Sequence, residues 1–234
     1  MRKGMQGPLA RSQNSPPPEF IYQPPKDSGL GIVFHDDDIL VLNKPSGLLS
    51  VPGKSSEHRD SMEIRALAEF PDARVVHRLD RGTSGVMVFA LNAKSHRHLG
   101  LQFEKRQTEK EYVALVQGTI KESYGIISQP LRTDWYNRPK QMIDFVLGRD
   151  AVTHWQILDR KHEFTRILLQ PKTGRSHQLR VHMQEMGHPI LGDQFYSNEK
   201  EAARYDRLML HAQTLTLRHP KTGEQETFTV PCPF

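Results

Sequence analysis

His77-Arg78-Leu79-Asp80-Arg81-Gly82-Thr83-Ser84-Gly85 stands between an apolar pair, Val75-Val76, and an apolar run, Val86-Met87-Val88-Phe89-Ala90. Both flanks are short and rich in β-branched or aromatic residues, the pattern of buried strands. If residues 78 to 80 are extended, Arg78 and Asp80 share one face and Leu79 takes the other. Gly82 and Gly85 then let the chain turn sharply into the next strand. A carboxylate beside cationic side chains is held in its charged form. Such an Asp can act as a nucleophile, a general base or a metal ligand. It can equally brace a turn through a surface ion pair, and the local residues do not choose between these.

Further segments extend the pattern. Asn43-Lys44-Pro45-Ser46-Gly47-Leu48 reads as a strand end and turn. Tyr112-Val113-Ala114-Leu115-Val116 is apolar on both faces and reads as a central strand. Lys172-Thr173-Gly174-Arg175-Ser176-His177-Gln178-Leu179-Arg180 leads into a helix predicted over 176–186, and Gly187-His188-Pro189 ends it. On that helix Leu179, Met183 and Met186 form an apolar stripe, and His177, Arg180 and Gln184 lie on another face. The turn from Thr173 to Ser176 would present free N–H groups to an anion. A helix is also expected over 61–70, capped by Ser61 and buried through Ile64, Leu67 and Ala68. Another is expected over 92–105, capped by Asn92, with Leu99 and Phe103 one turn apart.

Together these segments, in this order, resemble the signatures of the RluA-type pseudouridine synthases, and the resemblance covers the chain from about residue 30 to its end. The implied fold is α+β: a curved, mixed but mainly antiparallel sheet with flanking helices and a central RNA-binding cleft. The implied activity is isomerisation of uridine to pseudouridine in RNA, with Asp80 as the catalytic carboxylate and Arg180 as its ion-pair partner. The ring of Tyr112 would stack under the target base. On its own residues, Tyr112 reads equally well as a core tyrosine. Arg78 would fill the gap left by a flipped-out nucleotide. Within the family the likeness is to members without an S4 domain that modify 23S ribosomal RNA and the anticodon loop of transfer RNA. The segments carrying it are Pro45 to Gly53 and Asn137-Arg138-Pro139-Lys140-Gln141.

The 234 residues carry 32 Lys+Arg against 27 Asp+Glu, a net charge of +5 that suits a polyanionic partner. Trp135-Tyr136-Asn137-Arg138-Pro139-Lys140 interleaves aromatics with positive charge. That fits stacking on unpaired bases, and it fits an ordinary surface loop. Arg138, Lys140, Arg175 and His177 join Arg78 as candidate RNA contacts. Asp36-Asp37-Asp38 lacks the glycine and terminal glutamate of a calcium loop and reads as a solvated hairpin turn. His177 and His182 lack zinc-protease spacing. The one cysteine, Cys232, excludes an internal disulfide. No apolar run reaches the ~20 residues of a membrane span. No cofactor or metal is expected, because the product has the atoms and oxidation state of the substrate. A cytoplasmic monomer is expected, with a flexible Pro/Gly/Ser-rich tail over 1–28 and one catalytic domain over 29–234. Two rivals stand beside this reading: an RNA-binding module without catalysis, and a glycosidase, which would need a second carboxylate about 5–10 Å from Asp80.

Overall fold

The structure, a computed structural model, describes residues 22–26 and 29–234. The tail expected over 1–28 therefore lies outside the described residues except at 22–26. There the Tyr22 hydroxyl donates to the Asp60 carbonyl (2.8 Å) and accepts from the Leu49 N–H (2.9 Å).

In chain order the elements are β1 Ile32–His35, β2 Ile39–Lys44, α1 Met62–Glu69, β3 Arg74–Val75, β4 Ser84–Ala90 and α2 Ala93–Glu104. Then come β5 Glu109–Gln117, β6 Tyr124–Ser128, β7 Leu131–Thr133, β8 Gln141–Ile143, β9 Val152–Arg160 and β10 Phe164–Pro171. Helices α3 Gln178–Glu185 and α4 Glu199–Ala202 and strands β11 Leu210–Arg218 and β12 Gln225–Thr229 close the fold. Ten strands make one sheet, ordered β1-β2-β4-β11-β5-β10-β9-β6, with β12 also on β11 and β3 also on β4. Among the strands of the described residues only β4 and β11 pair in parallel. β7 and β8 form a separate hairpin.

Period two explains the N-terminal half. Ile39 and Val41 of β2 face one way, onto Leu99 of α2 and onto Leu215 and Phe228. Leu40 and Leu42 face the other way, onto Met62 and Ala66 of α1. Both faces are covered, so β2 and β4 read as continuous apolar runs. In the C-terminal half, Leu179 and Met183 of α3 cover Ala114, Ile167 and Leu169. Tyr112 packs against both the α1 core and the α3 core, at the seam between the halves.

The expected caps are present: Ser61 Oγ accepts from Ile64 N–H and Asn92 Oδ1 from Ser95 N–H. Gly187 ends α3 in a left-handed turn, with His188 N–H donating to Met183 O.

Four expectations need correction. The α1 stripe is rotated: Met62 and Ala66 are buried, while Ile64 and Ala68 are exposed. The cap at Ser61 starts the helix at Met62, and its bridge to Leu49 turns that first residue inward. The strand expected at Val75-Val76 ends at Val75, because residues 76–80 leave the sheet to reach the cleft. Leu208-Met209-Leu210-His211 and Thr214-Leu215-Thr216-Leu217, each apolar enough to read as a closing strand of its own, instead give one strand, β11, which starts at Leu210 and carries a bulge between Ala212 and Thr214. Helix α3 begins at Gln178 rather than Ser176, because His177 adopts the left-handed conformation at φ 53°.

Gly85 is the tightest backbone approach in the parallel pair. It has φ 113°, and a Cβ there would sit 2.1 Å from the Ala212 carbonyl oxygen. Gly85→Ala is expected to cost about 2–5 kcal/mol, from backbone strain and overpacking together. Chemical denaturation against the parent chain checks this, and a change below ~0.5 kcal/mol would mean that the β4–β11 contact yields freely.

Candidate active site

Residues 78 to 83 form an irregular extended segment and turn, closed by Thr83 N–H donating to Asp80 O (3.1 Å). Leu79 is buried, Arg78 is exposed and the Asp80 side chain is 28% exposed, the alternation an extended segment dictates. The segment after β2 clamps this turn. Ser46 Oγ donates to Gly82 O, Gly47 N–H to Arg81 O, and Ser50 Oγ to Leu79 O. Leu79 N–H returns a bond to Ser50 Oγ at 3.0 Å. Lys44 is fully buried, and its ammonium donates to the carbonyls of Pro45, Leu48 and Arg81. Burial pushes Lys44 down to about 7, against an opposing pull from Asp80. The motif around Asn43–Leu48 is thus the brace that fixes where Asp80 points.

Asp80 opens into a cleft of about 910 Å³. Arg78, Arg106, Lys110, Arg149, Arg175 and Arg180 line it, against the carboxylates of Asp80 and Glu104. Such a balance attracts a polyanion.

Arg180 reaches Asp80 from α3, with Nη1 3.4 Å from Oδ2. Its other nitrogens belong to Asp193: Nε and Nη2 each lie 2.7 Å from an Asp193 oxygen in a two-pronged pair. The Asp193 side chain has no exposure and also accepts from the N–H groups of Phe195 and Tyr196. Burial would weaken the Arg180 cation, but Asp193 and Asp80 outweigh it, and its pKa is raised. Phe195 and Tyr196 stand 5.1 Å from the guanidinium carbon and complete the socket.

His177 lies beside this group rather than on the helix. Its Nδ1 is 2.7 Å from the Tyr196 hydroxyl, which accepts from Gln141 N–H, and its Nε2 is 3.9 Å from Asp80. Burial lowers its pKa, with Asp80 pulling the other way, so the ring is neutral at pH 7. Tyr112 lines the cleft from β5. Burial first, then the nearby Asp80, raises its pKa and keeps its hydroxyl protonated.

His77 also lines the cleft, but its polar atoms and ring are taken up by the fold. Its Nε2 accepts from Val88 N–H (3.0 Å), its ring stacks on Phe103, and burial pushes it down to about 3. The anion site expected between Thr173 and Ser176 is partly spent internally, since Gln178 Oε1 takes the Arg175 N–H and the Thr173 hydroxyl. Arg175 still lines the cleft, with Nε on the Asp150 carbonyl. Arg138 sits over the Trp135 ring at 3.8 Å in the β7–β8 turn. Neither Arg138 nor Lys140 lines the cleft, although Pro139 between them does.

The structure therefore gathers Asp80, Tyr112, Arg180 and His177, with Arg78 and Arg175 on the same walls. It adds Asp193 and Tyr196, to which the sequence reading gave no role. The available signal was Asp193 directly after Gly192, a left-handed glycine pressed against the Arg207 carbonyl. Asp193 is a second carboxylate near the site, but it is buried and bound at both oxygens, unlike the free partner a glycosidase needs.

A family profile described as RNA pseudouridylate synthase matches residues 38–185, which include Asp80, Tyr112 and Arg180. The chain belongs to this family. It is an isomerase that converts uridine to pseudouridine in RNA. Among curated relatives, the dual-specificity RNA pseudouridine synthase RluA of Escherichia coli (strain K12) is 48% identical over 214 residues, covering 91% of this chain and 98% of the relative. Among solved structures, human RNA pseudouridylate synthase domain containing 1 is 31% identical with a TM-score of 0.77, covering 91% of this chain and 87% of that one. Human RNA pseudouridylate synthase domain containing 4 is 28% identical with a TM-score of 0.70, covering 87% and 88%. The α+β family fold expected from the sequence is the fold observed. Among the described residues no helix is long and apolar enough to cross a membrane.

Proposed function

We propose that the chain modifies uridines in loops of 23S ribosomal RNA and of the transfer RNA anticodon stem-loop, as a cytoplasmic monomer, with Asp80 as the catalytic carboxylate. The observation that carries the assignment is one carboxylate at the foot of a cation-lined cleft, 3.4 Å from a guanidinium that is itself locked in place. The two substrate classes rest on the dual-specificity relative, which matches over nearly its whole length.

A looped-out uridine enters the cleft at an unstacking cost of a few kcal/mol. Arg78, exposed and without an acceptor among the described residues, takes its place in the stack or binds the adjacent phosphate. Tyr112 supports the base. Asp80 works at the sugar or the base while the N-glycosidic bond breaks, and the cleft retains the detached ring until the carbon–carbon bond forms. Where a ribose proton moves, the protonated Tyr112 hydroxyl relays it rather than acting as the initial base. His177, neutral and held by Tyr196, packs the far side of Asp80. Arg138, Lys140 and Arg175 contact the loop backbone around the target.

Carbodiimide mapping of ribosomal and transfer RNA from cells lacking the gene tests this. Pseudouridine should disappear from one large-subunit hairpin and from anticodon loops, and return with the intact gene. An unchanged map in either RNA class would remove that class from the assignment.

A further inference from the structure

A second hollow, of about 360 Å³, adjoins the cleft and shares Arg106, Lys110 and Pro171 with it. Lys172, Thr108, Thr214, Thr216 and Thr227 also line it, with Gln170 and two carboxylates, Glu109 and Glu111. Lys110 is half buried, on β5 two residues before Tyr112, and its ammonium comes within 4.0 Å of where a Cβ on Gly174 would stand. Among the described residues, none of Lys110, Arg106 and Lys172 has a hydrogen-bond acceptor or ion-pair partner for its side chain. The charges felt by Lys110 are those of Arg106 and Lys172, which, after burial, lower its pKa. Of the two carboxylates in the wall, Glu111 is engaged by Gln170 at 2.8 Å. The Thr108 hydroxyl is buried and has no hydrogen-bond partner. Three cations share this hollow with no ion pair to its acids among the described residues, and a buried hydroxyl left unpaired costs about 1–3 kcal/mol. Both conditions are relieved by one anion rich in acceptor oxygens.

We propose that this hollow is a phosphate subsite for the substrate RNA, in which Lys110, Lys172, Arg106 and the Thr108 hydroxyl hold a phosphodiester flanking the everted nucleotide. The proposal rests on the RNA-modifying reading of the cleft and extends it along the strand. Tyr112 and Lys110 lie on the same strand, so a strand that places its base on Tyr112 is led past the Lys110 ammonium as it leaves the cleft. The contact carries no base identity. It fixes the register of the strand and lets more than one loop sequence present its uridine to Asp80.

The full chain is titrated with a uridine-containing stem-loop RNA at several salt concentrations, as the parent and as Lys110→Met, Lys172→Gln and Thr108→Val. Each lysine variant should lower the slope of log affinity against log salt by about 0.7 to 1. Lys121→Gln, an exposed cation outside both hollows, should leave the slope as it is. Thr108→Val should weaken binding without altering the slope. RNAs that each carry one neutral methylphosphonate linkage then locate the phosphate. One linkage should weaken binding to the parent but not further weaken binding to Lys172→Gln. Parallel salt slopes for parent and lysine variants, with every linkage affecting both alike, would overturn the subsite and leave the cleft assignment standing. A parent chain that fails to bind the stem-loop would overturn both.

Discussion

Asp80→Asn is expected to lower conversion of uridine to pseudouridine by at least about 10⁴-fold in kcat, without loss of affinity for a stem-loop RNA. The two expectations have separate physical sources. Affinity comes from the cationic walls, where Arg78, Arg106, Arg149 and Arg175 remain and one opposing charge is gone. Turnover comes from the carboxylate, and asparagine has the shape but neither the charge nor the basicity. A loss of that size corresponds to about 5.5 kcal/mol of transition-state stabilisation. The fold should hold, because the turn around Asp80 is held through its main-chain carbonyls, which accept from Ser46, Gly47, Ser50 and Lys44, rather than by the carboxylate. Single-turnover assays with carbodiimide detection, beside a binding titration, check both halves. Residual conversion within ~100-fold of the parent would place the reacting group elsewhere.

The second large effect is expected at Asp193, which does not line the cleft. Its two oxygens take Nε and Nη2 of Arg180 and leave Nη1 for Asp80. Asp193→Asn removes the compensating charge from a guanidinium whose side chain is 7% exposed. Breaking a buried pair in this way costs about 3–5 kcal/mol of stability. It also frees Arg180 to turn away from Asp80, and a misplacement near 1 Å costs about 100-fold in rate. The fall should appear in kcat, with KM for RNA little changed. The double variant Arg180→Met/Asp193→Asn, which keeps an acceptor for the Phe195 and Tyr196 N–H groups, separates aiming from folding. It should recover thermal stability, because the unpaired charge is gone, but not activity. Recovery of both, or a stable Asp193→Asn chain with full kcat, would reduce Asp193 to a structural residue.

Much of this site was legible before any coordinates. The segment from His77 to Gly85 showed its glycines, its lone carboxylate and its apolar flanks, and period-two alternation placed Asp80 and Arg78 opposite Leu79 as found. The caps at Ser61 and Asn92 and the glycine stop at Gly187 were equally readable, because each is set by a few neighbouring residues. What escaped was non-local. Arg180 lies 100 positions from Asp80, so only the family resemblance could join them. Asp193 meets Arg180 across a loop and a helix turn, and its one local mark, the preceding Gly192, does not name the partner. His177 looked like the first turn of a helix. The left-handed φ that moves it beside Asp80 is unusual for a non-glycine residue and leaves no mark in composition. The rotated face of α1 has the same origin: Ile64 fits an apolar stripe, but the bridge from Leu49 to Ser61 decides which side turns inward.

The account depends on an everted uridine meeting the Asp80 side chain at the foot of the cleft. The structure of the Asp80→Asn chain bound to a substrate stem-loop tests that most directly. The account predicts the target uridine out of the loop stack, its ring against Tyr112, Arg78 at the vacated position, and the sugar C1′ within about 3.5 Å of residue 80. A target nucleotide still stacked in its loop, or held in another hollow with residue 80 facing only solvent, would contradict it.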